Sequence, residues 1–442
     1  MSTPSDWSAR DAASVWHPFT AMSTYADEHA PVIAAADGFF LVDTAGKTYL
    51  DGHSSLWCNI HGHRVPEIDA AIRGQLDRVA HSTLLGLGNT SSIELAEELI
   101  QRAPTGLSRV FYADCGAAGV EVALKIAWQY HRQKRQPEPR DLFACLGSAY
   151  HGDTVGTISL GDIDRFHSLF GGLMFPSLRL PSPAMPGLSV DECLAETERL
   201  LANHQERVAG VIVEPLMQAA AGMRVHPAGY LKRLREITRR SGLLLIADDI
   251  AVGFGRLGTL FACEQEAVSP DIMILSKGLT GGYLPLAATL TTEEIYAAFL
   301  GDPWAGKTFY HGHTYTGNPL ACAAARASLR LIEDRDVLGN ARRIEVALAE
   351  YAANWAAIPH VAEVRHRGTM VGIEVQRDPA TGTPFPAEQR MGHQLTLACR
   401  ERGIIVRNIG DTLVLMPAPA MPLALVDQLA DTVTAALRDI LR

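Results

Sequence analysis

The sequence predicts an α/β protein with a large domain built on a mostly parallel central sheet and a smaller α+β domain. From residue 142 onward, short apolar runs alternate with segments of helical periodicity, which is the rhythm of βαβ units. The apolar runs at 243–247 and 272–275 lack polar alternation, as expected for parallel strands buried on both faces. A chain of 442 residues is also too long for one simple core.

The N-terminal part of the chain is expected to begin without regular structure and to continue with alternating strands and helices. Residues 1–14 are polar and are expected to fray, and residues 16–25 are expected to form an irregular loop. A β-hairpin is predicted at 39–50, and strands are predicted at 110–112, 142–146 and 208–214. Helices are predicted at 68–79, 92–102, 120–132 and 230–241. Ser91 or Ser92 is expected to cap the helix at 92–102.

The C-terminal part mixes helices and strands. Helices are predicted at 319–333, 337–357 and 387–402, and strands at 369–374, 403–407 and 412–416. We expect residues 56–333 to form the large domain and residues 334–442 to form the small domain. The N-terminal segment 1–55 is expected to join the small domain.

Composition excludes several classes of function. The net charge of −10 argues against nucleic acid or an anionic membrane surface as a partner. No segment reaches the roughly 18 consecutive apolar residues of a membrane span, and the N-terminus does not resemble a signal peptide. The seven cysteines have no metal-type spacing, which favours free thiols in a cytoplasmic enzyme without a metal, although zinc ligation by scattered Cys and His stays open.

Lys277 stands just past the buried strand predicted at 272–275. Desolvating an ammonium group is costly, so a lysine at the end of a buried strand usually has a use there. One use is a covalent bond to a carbonyl cofactor such as pyridoxal phosphate. The alternative is a surface lysine that follows a strand.

Asp248 and Asp249 follow the apolar run at 243–247. The carboxyl end of such a strand is where open α/β sheets bind ligands. Pyridoxal phosphate needs a carboxylate beside its ring nitrogen, and Asp248 is the candidate. An aspartate that only starts a turn is the alternative.

A strand, a loop of small residues at 114–119 and a helix follow one another between residues 110 and 132. Free amides and the helix dipole favour an anion at such a helix start. This pattern predicts a phosphate site, and an ordinary strand-to-helix turn is the alternative.

Several longer motifs carry a family resemblance. They are Trp16-His17-Pro18-Phe19-Thr20, Asp51-Gly52-His53-Ser54-Ser55, Tyr150-His151-Gly152-Asp153-Thr154, Gly253-Phe254-Gly255-Arg256, Ser276-Lys277-Gly278 and His311-Gly312-His313-Thr314-Tyr315-Thr316-Gly317-Asn318-Pro319. From about residue 15 to the C-terminus the chain resembles the class III (fold type I) pyridoxal-phosphate aminotransferases. Within that family it resembles the diaminopelargonic acid synthases of biotin biosynthesis.

The resemblance implies a cofactor site for pyridoxal 5′-phosphate. Lys277 would hold the cofactor covalently and move protons, and Asp248 would bind the ring nitrogen. The residues implied for the rest of this site are Gly116 and Ala117 at the phosphate, Tyr150 and Ile250 on the two ring faces, and Thr314 from the neighbouring subunit of a homodimer with shared active sites.

The resemblance also implies a substrate site for a small amino donor and a keto acceptor. Arg407 would bind the carboxylate of 8-amino-7-oxononanoate, which the reaction converts to 7,8-diaminononanoate; a structural ion pair is the alternative for this arginine. The other substrate-binding residues implied are Phe19, Leu56, Trp57, Tyr150, Gly312 and Arg256, and Glu214 is expected at the edge of the site.

The sequence departs from the family pattern at several positions. Cys115 and Ala117 stand where relatives carry hydroxyl side chains, which removes two hydroxyls from the phosphate loop. Phe19 and Leu56 replace a tyrosine and a tryptophan of relatives that use S-adenosylmethionine, so the donor stays open between that compound and the ε-amine of lysine. Asp249, Val252 and Leu257 replace Glu, Thr and Thr.

Two other functions stay open. One is a class III ω-aminotransferase for another diamine or ω-amino acid. The other is a non-catalytic relative that binds pyridoxal phosphate.

Overall fold

The computed structural model describes residues 6–134 and 140–442. Its helices are α1 (Trp7–Ser14), α2 (Met22–Tyr25), the single turn α3 (Ser54–Trp57), α4 (Pro66–Leu76), α5 (Thr90–Arg102), α6 (Gly116–Gln133), α7 (Val155–Ser159), α8 (Asp164–His167), α9 (Val190–Asn203), α10 (Tyr230–Arg240), α11 (Glu293–Ala297), α12 (Pro319–Asp334), α13 (Val337–Trp355), α14 (Met391–Glu401) and α15 (Leu423–Ile440). Short 3₁₀ segments cover Ser168–Leu173, Ala262–Glu266, Lys277–Thr280 and Ala387–Gln389.

The strands complete the α/β architecture. They are β1 (Ile33–Asp37), β2 (Phe40–Asp43), β3 (Thr48–Asp51), β4 (Leu107–Ala113), β5 (Leu142–Leu146), β6 (Leu178–Leu180), β7 (Val208–Val213), β8 (Met217–Gln218), β9 (Arg224–Val225), β10 (Leu244–Asp248), β11 (Ile272–Leu275), β12 (Ala287–Thr292), β13 (Val361–Arg367), β14 (Met370–Val375), β15 (Ile404–Ile405), β16 (Arg407–Ile409) and β17 (Thr412–Leu415).

The central sheet has seven strands in the order β4-β12-β11-β10-β7-β5-β6. Strand β12 runs antiparallel to both neighbours, and the other pairs are parallel. Every residue of β7, β10 and β11 is buried, because helices cover both faces. The predicted α/β fold with a mostly parallel sheet is confirmed.

Two four-stranded sheets lie outside the central one. They have the orders β1-β2-β3-β15 and β13-β14-β17-β16. The parallel pairing of β3 with β15 ties the N-terminal segment to the C-terminal part of the chain, with Leu50 opposite Ile404. This pairing supports the prediction that residues 1–55 join the small domain, although the domain boundaries stay a prediction.

Helix α6 begins four residues before the predicted start at 120. Its first turn contains only small residues, so the apolar periodicity that marks a helix begins late. These small residues allow the helix to approach the sheet closely. A Cβ on Gly119 would lie 2.9 Å from the Ile274 side chain.

Four other predicted elements need correction. Residues 7–14 form helix α1, whose first turn Asp6 caps, and the predicted loop at 16–25 contains the helical turn α2. The predicted helix at 387–402 is divided at Arg390, which has a φ of 46°. The predicted strand at 403–407 forms two short strands that pair with different sheets.

The predicted cap of α5 was also wrong. The N-cap is Asn89, whose side chain accepts a hydrogen bond from the Ser92 amide at 2.8 Å. Ser91 instead donates to the carbonyl of Pro319, and Ser92 donates to the carbonyl of Asn89.

Among the described helices, none combines the length and the apolar character that crossing a membrane requires.

We expect Asn89→Ala to lower the free energy of unfolding by about 1 kcal/mol, because it leaves the first-turn amides of α5 without their side-chain acceptor. Urea denaturation of the purified protein measures this change. Asn354→Ala, at an exposed position in α13, is the control and should not destabilise the protein, since alanine favours a helix. Equal effects of the two substitutions would contradict the assigned cap.

Candidate active site

A cavity of about 690 Å³ opens at the carboxyl ends of the central strands. The sequence-predicted residues that line it are Lys277, Asp248, Gly116, Ala117, Tyr150, Ile250, Leu56 and Trp57, together with Glu214. The predicted residues that do not line it are Phe19, Arg256, Gly312, Thr314 and Arg407.

Lys277 is the first residue of the 3₁₀ segment that follows β11. Strand β11 is fully buried, and Lys277 has a φ of 44°, so the backbone turns sharply where the strand ends. The amine Nζ lies 5.0 Å from the centre of the Trp57 ring. Burial lowers the pKa of Lys277, while the carboxylates of Asp248 and Glu214 act in the opposite direction. The amine is therefore held in the cavity rather than in solvent.

Asp248 is the last residue of β10 and is buried. Its Oδ2 lies 2.7 Å from Nδ1 of His151, and its Oδ1 accepts the amide of Ile250 at 3.2 Å. A carboxylate only accepts, so His151 donates from Nδ1. Nε2 of His151 has no partner among the described residues. The sequence showed His151 as part of a motif but gave no sign that it holds Asp248.

Glu214 follows β7 and joins two loops at the wall of the cavity. Its two carboxylate oxygens accept the amides of Tyr150 and Ala219, each at 3.1 Å. Burial raises the pKa of Glu214 to about 7; His151 opposes this rise, and Asp248 adds to it. The carboxylate therefore fixes the loop that carries Tyr150.

The N-terminus of α6 forms one end of the cavity. Cys115 is extended, the helix starts at Gly116, and no side chain in the described part of the chain caps it. A Cβ on Gly116 would lie 2.9 Å from Ile250, and a Cβ on Gly152 would lie 2.6 Å from that of Ala117. The small residues thus leave the first amides of α6 open to an anion.

Tyr150 and Phe19 are connected through Phe166. The ring of Tyr150 lies 6.0 Å from that of Phe166, which lies 5.3 Å from that of Phe19. The Tyr150 hydroxyl donates to Asp153 at 2.8 Å, and burial, reinforced by Asp153, raises its pKa well above the ordinary value. Phe19 is exposed and lies one ring outside the cavity wall.

Arg407, on β16, lies near the cavity rim. Its Cζ is 6.0 Å from the centre of the Trp57 ring. Among the described residues no carboxylate lies within 4 Å of its guanidinium, so the alternative of a structural ion pair has no support there. Burial lowers the pKa of Arg407. An unpaired, partly buried guanidinium suits an anionic ligand.

The expectation that Arg256 lines the substrate site needs revision. Only 1% of its surface is exposed, and its guanidinium donates to the carbonyls of Asn59 at 2.7 Å and Pro417 at 3.0 Å and to the Ser54 hydroxyl at 3.1 Å. The Arg256 side chain therefore links the backbone at Asn59 to the backbone at Pro417.

Gly312 and Thr314 are exposed in the single chain and are not among the residues that line the cavity. Their predicted roles therefore need a second subunit and stay predictions.

The cavity thus combines a partly buried amine, a buried hydrogen-bonded carboxylate and an open helix N-terminus. This combination at the carboxyl edge of a parallel sheet defines an enzyme whose lysine can act on carbonyl and amine groups, with an anion held nearby.

Comparison with known proteins identifies the family. The sequence model of the family described as aminotransferase class-III matches residues 22–441. The chain is 52% identical to the adenosylmethionine-8-amino-7-oxononanoate aminotransferase of Nitratidesulfovibrio vulgaris over 97% of this chain and 80% of that protein. It is 48% identical to the protein of the same name from Anoxybacillus flavithermus over 94% of this chain and 93% of that one.

Solved structures agree. The crystal structure of the adenosylmethionine-8-amino-7-oxononanoate aminotransferase of Methanocaldococcus jannaschii is 40% identical, with a TM-score of 0.94 over 98% of both chains. An (S)-enantioselective ω-transaminase from Thermomicrobium roseum is 35% identical, with a TM-score of 0.92 over 98% of both chains. A PLP-bound amine transaminase from an uncultivated Pseudomonas species is 32% identical, with a TM-score of 0.91 over 97% of this chain and 99% of that one. The chain belongs to the class III aminotransferases, and it is an aminotransferase.

We expect the cofactor-free protein to lose stability relative to its Glu214→Gln variant as the pH rises from 5 to 8. The folded-state pKa of about 7 lies above the ordinary 4.5, so the contribution of the neutral carboxyl is present below pH 4.5 and is lost as the pH rises through 7. The change is on the order of 3 kcal/mol. Urea denaturation at the two pH values measures it.

Glu206→Gln, which removes an exposed carboxylate, is the control and should follow the wild type. Parallel pH profiles for wild type and Glu214→Gln would show that Glu214 does not titrate in this range.

Proposed function

We propose that this aminotransferase uses pyridoxal 5′-phosphate to convert 8-amino-7-oxononanoate to 7,8-diaminononanoate in biotin biosynthesis. The observation that carries the proposal is that Lys277, Asp248 and the open N-terminus of α6 share one cavity. The names of the relatives at 42–52% identity supply the substrate.

The residues of the cavity fit the cofactor. The Gly116 and Ala117 amides at the start of α6 are suited to its phosphate, and Asp248 is suited to its ring nitrogen. Tyr150 and Ile250 both line the cavity and would enclose the ring. When bound, pyridoxal phosphate supplies the carbonyl that captures the amine and the electron sink that stabilises the developing carbanion.

Three residues would do the chemical work of the protein. Lys277, released from its covalent bond, would carry a proton between the two carbons that exchange it, since burial favours its neutral, basic form. Asp248, oriented by His151, would keep the ring nitrogen protonated. Arg407 would bind the substrate carboxylate at the rim.

A homodimer with shared active sites belongs to the same proposal. Thr314 and Gly312 are exposed, as are large apolar side chains such as Trp16, Leu85 and Trp304. A second subunit would cover such a surface and bring Thr314 to the phosphate of its partner. We also propose a cytoplasmic location, which the seven free cysteines favour.

The amino donor stays open between S-adenosylmethionine and lysine. Leu56 lines the cavity, and Phe19 packs on Phe166, which packs on Tyr150 of the wall, so neither position offers a hydroxyl or an indole to a donor. The similarity to an ω-transaminase keeps a different amine as the second candidate.

The test is a pair of half-reactions on the cofactor-loaded protein. S-adenosylmethionine and lysine are added in parallel while the cofactor absorbance is followed, and 8-amino-7-oxononanoate is added next. We expect one donor to abolish the cofactor absorbance and the acceptor to restore it. The Lys277→Ala variant should show neither change. Recovery with pyruvate but not with 8-amino-7-oxononanoate would favour the ω-aminotransferase, and no bleaching by any amine would leave a non-catalytic relative.

We expect Arg407→Met to raise the KM for 8-amino-7-oxononanoate about 10- to 100-fold, because hydrogen bonds to charged groups are worth about 1.5–3 kcal/mol. Steady-state kinetics measures the change. Arg402→Met, which breaks a surface ion pair with Asp439, is the control. An unchanged KM for Arg407→Met would remove this arginine from the substrate site.

A further inference from the structure

The turn α3 (Ser54–Trp57) is a left-handed helical turn without glycine. The φ angles of its four residues are 54°, 46°, 69° and 69°. Hydrogen bonds from the Trp57 amide to the His53 carbonyl at 2.9 Å and from the Cys58 amide to the Ser54 carbonyl at 3.0 Å close it. L-residues disfavour this conformation, which persists only where the surroundings enforce it, often at ligand sites.

Asp51, at the end of β3, enforces the turn from one side. Its Oδ1 accepts the Ser55 amide at 2.9 Å, and its Oδ2 accepts the Ser55 hydroxyl at 2.7 Å. Nε2 of His63 lies 3.0 Å from Oδ2, and Nδ1 of His53 lies 3.3 Å from Oδ1. Burial would raise the pKa of Asp51, but the adjacent His53 and the hydrogen bonds from His63 and Ser55 outweigh this effect and hold the pKa well below its ordinary value. The carboxylate is thus ionised, and both of its oxygens accept hydrogen bonds.

The other side of the turn is held through Ser54. Its hydroxyl donates to the carbonyl of Met416 at 2.6 Å and accepts a hydrogen bond from the buried Arg256 at 3.1 Å. The turn is therefore fixed to the chain that follows β17 as well as to β3.

The turn presents an apolar wall to the cavity. Leu56 and Trp57 both line it, and Leu56 keeps 46% of its surface exposed although it is apolar. The Trp57 ring lies 5.0 Å from Nζ of Lys277 and 6.0 Å from Cζ of Arg407. An aliphatic chain that spans from an amine at Lys277 to a carboxylate at Arg407 would pass along this wall.

We propose that Asp51 is a positioning residue that, by holding Ser55 in the left-handed turn, sets the selectivity of the cavity for long unbranched aliphatic substrates. The identity of the long substrate rests on the proposed function. The chain-length selectivity can be measured with any amine that the enzyme accepts, because it depends only on the amine exchange that every aminotransferase performs.

The experiment compares wild type, Asp51→Asn and Ser55→Ala as cofactor-loaded proteins. The donor half-reaction is measured by loss of cofactor absorbance with straight-chain primary amines of increasing length. We expect the ratio of kcat/KM for the longest to that for the shortest accepted amine to fall about 10-fold in Asp51→Asn and about threefold in Ser55→Ala, which loses one hydrogen bond. Cofactor absorbance and rates with the shortest amine stay at wild-type values.

A second readout does not depend on activity. The thiol of Cys58 donates to the carbonyl of Ser55 at 3.1 Å, so a loosened turn frees it. We expect alkylation of Cys58, followed by mass spectrometry, to become several-fold faster in Asp51→Asn.

Asp43→Asn is the matched control. Asp43 also ends a strand of this sheet and accepts the amides of Ala45 and Lys47 and the hydroxyl of Tyr49, each at 2.9 Å, but it does not line the cavity. Its variant should leave both the selectivity ratio and the alkylation rate unchanged.

Two results would overturn the proposal and leave α3 as scaffold. One is an equal loss of kcat/KM for long and short amines in Asp51→Asn. The other is a long-to-short kcat/KM ratio and a Cys58 alkylation rate that both equal those of wild type. If Asp51→Asn does not fold, an unchanged ratio in Ser55→Ala has the same meaning. If wild type rejects 8-amino-7-oxononanoate while the ratio still falls in the variants, the proposed function fails and this inference stands.

Discussion

The burial of ionisable groups at the carboxyl ends of parallel strands is the constraint on which the rest of the site depends. Strands β7, β10 and β11 are fully buried and lead to Glu214, Asp248 and Lys277, all three of which line the cavity. Burial raises the pKa of Glu214 to about 7 and lowers the pKa of Lys277. Glu214 and Asp248 repel each other, but both attract the Lys277 ammonium, and hydrogen bonds from His151 and from backbone amides stabilise the two carboxylates. The sheet therefore creates both the position of the lysine and its electrostatic environment.

The cavity is polar at its ends and apolar between them. The start of α6 is suited to an anion at one end, and Arg407, without a carboxylate within 4 Å among the described residues, is suited to another at the rim. Trp57 lies beside both Lys277 and Arg407 and separates them by an apolar surface. Such a distribution suits a substrate whose reacting carbon and carboxylate are joined by a long methylene chain, because each part meets a surface of matching polarity.

The sequence predicted those parts of the site that depend on local pattern. Buried apolar runs located the strand ends, and hence Lys277 and Asp248, because strand length and burial are visible in a single stretch of chain. What depends on distant partners was not predictable. The hydrogen bond of His151 to Asp248 spans 97 positions, and Arg256 stands in a motif beside the site while its guanidinium serves backbone carbonyls elsewhere. The left-handed turn α3 lacked the glycine that would have marked it in the sequence.

The proposed phosphate loop has no hydroxyl side chain at Cys115 or at Ala117. A hydroxyl at either position could add a hydrogen bond worth about 1.5–3 kcal/mol to a charged group. The amides at the start of α6 belong to the backbone and do not depend on these side chains. Ala117 also fits closely against Gly152, where a Cβ would lie only 2.6 Å from that of Ala117. In the proposed site, the affinity for a phosphate would therefore depend on the helix N-terminus, and retention of the cofactor on Lys277.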